Sequence, residues 1–164
     1  MKNYILNLII ISFLAVWASS VYAKSDVEIV MNGTLPYDKS ITIGDAFNNF
    51  RYFENKTWKV RQEENKIKLV IFIGALDLEK LKRYNNDINR LKAAFVRIVF
   101  VISNDNSIDV KSFSYQILLP GEFKLVDWVM DASDLKHSIV NIYRNDSKSG
   151  LIISNELSSH MSKY

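Results

Sequence analysis

Phe95 to Leu119, FVRIVFVISNDNSIDVKSFSYQILL, constrains the fold of this chain more than any other stretch. Its first part, Phe95–Ile102, is apolar except for Arg97. Short runs rich in Val, Ile and Phe favour strand over helix. An apolar run without alternation suits a central strand buried on both faces. Ser103-Asn104-Asp105-Asn106-Ser107 follows as a turn cluster, since Asn and Asp bond their own backbone and tolerate positive φ. The next strand alternates: Phe113, Tyr115, Ile117 and Leu119 on one face, Ser112, Ser114 and Gln116 on the other. Pro120-Gly121 stops it, and a third strand is expected from Phe123 to Val129. Together these form a three-stranded meander with Trp128 near its end.

The chain opens MKNYILNLIIISFLAVWASSVYA. Lys2 is a basic n-region, Ile5–Trp17 an apolar h-region, and Val21-Tyr22-Ala23 presents small residues to a signal peptidase. The apolar run is short for a bilayer span, which needs about 20 residues. The expectation is a signal peptide over 1–23, cleaved after Ala23, and a periplasmic or extracellular protein. With no cysteine there is neither a lipoprotein anchor nor a disulfide. Export without disulfides fits a bacterial envelope protein. Removing Lys2 lowers the net charge from +3 to +2. So balanced a charge does not imply nucleic acid as a partner.

Within residues 24–145, expected to form a single domain, Val27, Ile29 and Met31 alternate as in an edge strand or extended arm. Thr42 is a helix N-cap with Asp45 three residues on, and Ile43, Ala46, Phe47, Phe50 and Phe53 make an aromatic inner face. Thr57–Ile73 reads as a hairpin turning at Glu63-Glu64-Asn65. Leu76–Ala94 reads as a second helix, weakened at Asn85-Asn86 because Asn is a poor helix former. Asp131 caps a third helix, with Leu135, Ile139, Ile142 and Tyr143 inward. Residues 146–164, rich in Ser, Asn and Lys, read as a weakly structured tail, with Leu151-Ile152-Ile153 able to pair as a short strand. The expected class is α+β, in the order α-ββ-α-βββ-α. Five or six antiparallel strands form its sheet, with helices packed mainly on one face.

The catalytic inventory is thin. Missing cysteine excludes thiol nucleophiles and thiolate metal sites. His137 follows Asp134 by three residues near Ser133 and Ser138, but no G-x-S-x-G turn is present. Asp105, Ser107 and Asp109 have calcium-loop spacing, yet position twelve is Gln116 rather than Glu. Asp127, Asp131 and Asp134 could gather at a strand-to-helix bend, although capping accounts for two of them. No catalytic residue, metal site or cofactor is expected. Six cations, Lys80, Lys82, Arg83, Arg90, Lys92 and Arg97, face only Glu79 and Asp87 between positions 79 and 97. Either this is a solvated face or it meets an acidic partner or an anionic surface.

The leading expectation is therefore a non-enzymatic accessory module that binds a protein in the cell envelope. Its candidate contacts are Trp58, Trp128, Tyr115 and the six cations. One alternative is a small-ligand site or hydrolase pocket near the third helix. A second is weak contact of the 80–97 patch with an anionic membrane surface.

Overall fold

The computed structural model describes residues 25–63, 67–121 and 126–162. The expected signal peptide, Glu64-Asn65 of the first hairpin turn, and Phe123–Leu125 of the third meander strand lie outside those residues. The elements run α1 (Asp26–Asn32), α2 (Ile43–Asn48), β1 (Phe53–Gln62), β2 (Lys68–Leu76), α3 (Leu78–Leu81), a 3-10 turn (Asn86–Arg90), β3 (Ala93–Ile102), β4 (Ile108–Leu118), β5 (Val126–Val129), α4 (Ala132–Arg144) and α5 (Ser147–Met161). The five strands form one antiparallel sheet in sequence order, so every strand pairs with its chain neighbour. The α+β class and the one-sided helix layer are as expected.

Register divides the side chains of the sheet between two faces. Trp58 pairs with Phe72, Phe72 with Ile98 and Ile98 with Phe113. One row along, Gly74 pairs with Val96, Val96 with Tyr115 and Tyr115 with Trp128. These rows face the helices. Phe47 of α2 sits over them and meets four rings edge-on: Phe72 at 5.0 Å, Phe100 at 5.8 Å, Trp58 at 6.2 Å and Tyr143 of α4 at 6.3 Å. Such pairs add about 0.5–1.5 kcal/mol each beyond area burial. The aromatic stripe of α2 is thus core, fully buried at Phe47.

Two local expectations change. Residues 26–32 are helix, not strand: Ser25 and Glu28 form a reciprocal capping box, and Val30 is the residue that α1 buries. Leu76–Ala94 is not one helix. Asp77 caps the single turn of α3, Asn85 accepts from the Asp87 amide to start a 3-10 turn, and β3 begins at Ala93. Leu81, Ile88 and Leu91 of this stretch are buried all the same.

The largest correction concerns the tail. Residues 147–161 form a helix started by an Asp146–Ser149 capping box. Gly150, Ile153, Leu157 and Met161, spaced three, four and four apart, are its buried stripe. Asn145 links this helix to the body. Its φ of 49° ends α4 in the left-handed region, which Asn tolerates better than most residues. Its side chain accepts from the Arg51 amide at 2.8 Å and donates to the Asn49 carbonyl at 2.9 Å.

Gly150 lets α5 approach the sheet layer. A Cβ there would lie 2.5 Å from the Tyr52 ring. That ring is pinned, because Tyr52 and Tyr84 share a hydroxyl hydrogen bond at 2.9 Å and Tyr52 donates to the Asp146 carbonyl at 3.1 Å. Glycine in a helix costs about 1 kcal/mol relative to alanine. Overpacking a fixed neighbour costs about 1–3 kcal/mol. Gly150→Ala is therefore expected to lower stability by up to about 2 kcal/mol net, measured by guanidinium denaturation. A gain in stability would show that Tyr52 yields freely.

Candidate functional site on the uncovered sheet face

The other face of the sheet carries alternate residues of the same strands. Its rows are Arg61–Leu69–Val101–Asp109, Lys59–Ile71–Val99–Ser112, Thr57–Ile73–Arg97–Ser114–Val129 and Asn55–Ala75–Phe95–Gln116–Asp127. The aromatic contacts and side-chain hydrogen bonds that join the helices to the strands lie on the opposite face. Even so, the centre of this second face is apolar. Ile71, Ile73, Ala75, Phe95 and Val101 are partly exposed there, and Val129 is 62% exposed. β2 and β3 are therefore near-continuous apolar runs because both of their faces are apolar, although helices cover one of them.

The polar groups of this face are unevenly placed. A register shift after Val99 leaves Lys111 as an extra residue in β4. Lys111 reaches across β2 and β3 to Glu63, beyond the end of β1, with Nζ 3.1 Å from Oε1 and 3.3 Å from Oε2. Beside this pair lies an open notch of about 200 Å³, walled by Leu69, Ile71, Val99 and Ser112 and edged by Arg61, Arg97, Glu63 and Lys111. Glu63 is its one acid among the described residues, and it is engaged by Lys111. Arg61 and Arg97 have no acidic partner among the described residues. Ser114 faces Arg97 across the β3–β4 ladder, 2% exposed, with its hydroxyl unpaired.

The residues singled out from the sequence fall in separate places. Trp58 is half-buried on the helix side, in contact with Phe72 at 4.8 Å, and its Nε1 donates to Asn48 at 3.2 Å. Trp128, also half-buried, stacks on His160 of α5 at 4.3 Å. Tyr115 is buried beneath α5. The cations do not form one patch. Lys80 pairs with Asp77 at 2.8 Å and Lys82 with Glu79 at 2.5 Å, Arg83, Arg90 and Lys92 are exposed elsewhere, and Arg97 alone lies on the open face. Among the described residues no cluster of three metal-ligating side chains occurs and no helix is long and apolar enough to cross a membrane.

No protein-family model, curated protein or solved structure matches this chain.

Near α4, which the sequence presents as the third helix, sequence reasoning named His137 and Asp134 and missed Glu156. His137 and Asp134 are exposed, and Ser133 donates to Asp131 at 2.8 Å as part of the α4 cap. The buried polar group is instead Tyr115, whose hydroxyl donates to Glu156 Oε2 at 2.8 Å. Burial, reinforced by the negative Glu156, holds the Tyr115 phenol far above its ordinary range, so it remains a donor. Burial likewise raises the Glu156 carboxyl above 4.5, against the opposing pull of the Tyr115 and Ser138 hydroxyls and of His137, while Asp134 adds to the rise.

The consequence for stability has a definite sign. A carboxyl raised in the folded state binds its proton more tightly there than in the unfolded chain. Its favourable contribution is complete below 4.5 and declines as pH rises through the raised value. Glu156→Gln keeps an acceptor for Tyr115 but cannot ionise. The wild type is expected to lose stability relative to this variant as pH rises above 4.5. Denaturation midpoints across that range test it, and parallel curves would contradict it.

Proposed function

We propose that this protein is an exported, non-enzymatic binding module that contacts another protein of the cell envelope through the uncovered face of its sheet. Export rests on the n-region, h-region and Val21-Tyr22-Ala23 pattern of the N-terminal segment. Binding rests on one observation: the face bearing Ile71, Ile73, Phe95, Val101 and Val129 is apolar, and no helix among the described residues lies upon it. A contiguous exposed apolar surface costs about 25 cal/mol for each Å² kept from burial, and in a soluble protein it marks an interaction site. The rim, with Lys59, Arg61, Asp109 and Asp127, is charged, as at the edge of a protein interface.

The hydrolase alternative draws no comparable support, since His137 and Asp134 stand exposed on α4 and neither shares a hydrogen bond with a serine nucleophile. Membrane attachment through residues 80–97 is weakened by the pairing of Lys80 and Lys82 with neighbouring acids.

Site-directed photo-crosslinking in the producing cell tests the proposal. A crosslinker at Val129 is expected to trap one dominant envelope protein, whereas one at Leu151, exposed on α5, traps none. Val129→Asp as a background change for a crosslinker at Phe95 should reduce that product at least several-fold, with little loss of stability because Val129 is exposed. Equal labelling from Val129 and Leu151 would overturn the proposal.

A further inference from the structure

We infer that the partner presents a carboxylate to the notch between Arg61 and Arg97, carried on an extended acidic segment whose apolar side chains lie along Ile71, Ile73 and Val101. This rests on the proposal that the open sheet face is the binding surface.

Charge complementarity carries it. Of the four charged groups that edge the notch, Glu63 and Lys111 satisfy each other, which leaves two guanidinium groups and no acid for them among the described residues. Arg97 is the informative one. It interrupts an otherwise apolar run, lies between Ile73 and Ser114 in register, and is only partly exposed. A cation in such a place is held at a cost, because its neighbours supply neither charge nor full hydration. Guanidinium is also the group best shaped to grip a carboxylate with two parallel hydrogen bonds. Ser114, in register beside Arg97, is buried with its hydroxyl unpaired among the described residues, so nothing from that side neutralises the guanidinium.

The same charges argue against other occupants. A membrane or a nucleic acid presents many anions over a broad area, whereas these two cations edge a notch of about 200 Å³ with Glu63 on its rim. A strand-like segment fits better. Its alternate side chains can place acids at the notch and aliphatic groups on the apolar rows.

The probe is a capped decapeptide alternating Glu and Val, compared with its Gln and Val counterpart, titrated into the isotopically labelled mature chain and followed by NMR. The Glu peptide is expected to shift the amides of Arg61, Ile71, Arg97 and Val99, and to bind at least tenfold more tightly than the Gln peptide. Arg97→Met is expected to abolish that preference while leaving the melting temperature unchanged or higher, which a purely structural arginine would not do. Three outcomes overturn the inference. Equal binding of the two peptides on this face would remove the acidic partner yet leave the binding face in place. Absence of shifts on this face with either peptide would remove both. Binding of anionic phosphatidylglycerol vesicles through Arg61 and Arg97, without binding of the Glu peptide, would assign the site to lipid.

Discussion

The packing of Phe47 onto the sheet is the interaction on which the rest of this structure depends. One short helix brings a single ring into contact with Trp58 of β1, Phe72 of β2, Phe100 of β3 and Tyr143 of α4. It thereby commits one face of the sheet to the helix layer. Strand side chains alternate, so committing one face also defines the other. Ile71, Ile73, Phe95 and Val101 then stay partly exposed on a surface that the described helices do not cover. The same event that builds the core creates the candidate binding face.

The two faces have different chemistry for this reason. On the covered side, the few polar groups serve the packing: Tyr115 donates to Glu156, Trp58 to Asn48, and Ser154 to the Leu81 carbonyl. On the uncovered side Lys111 and Glu63 pair with each other, and others stay unmatched. Arg97 lacks an acid and Ser114 lacks a partner among the described residues. The sheet is finite, and its edges are handled differently. The ten residues of β1 carry Lys56, Lys59 and Arg61, charges that discourage pairing with another chain edge to edge. The described part of β5 is four residues long, Val126–Val129.

Much of this fold was legible from residue patterns. The apolar run of β3, the alternation of β4, the Thr42 and Asp131 caps and the aromatic face of α2 all led to elements that the structure contains. The failures have physical causes. Val27, Ile29 and Met31 alternate like a strand, but the Ser25–Glu28 capping box sets the local conformation. The α5 helix was hidden because serine dominates its composition, and Ser149 and Ser154 are buried by bonding to backbone carbonyls. Its Gly150-Ile153-Leu157-Met161 spacing was the available signal. Glu156 was lost with that helix. The candidate site was half legible: Arg97 stood out as the one charge in β3, whereas Arg61, Glu63 and Lys111 are brought beside it only by register and by the extra residue in β4.

The central claim is that the two faces of one sheet differ in their access to solvent. Methyl NMR with a soluble paramagnetic probe measures that directly. The methyl groups of Ile71, Ile73, Val101 and Val129 should relax strongly, while those of Val70, Val96, Ile98 and Ile117 remain protected. Equal protection of both sets would mean that the second face is covered in solution, and the account given for its apolar surface would be wrong.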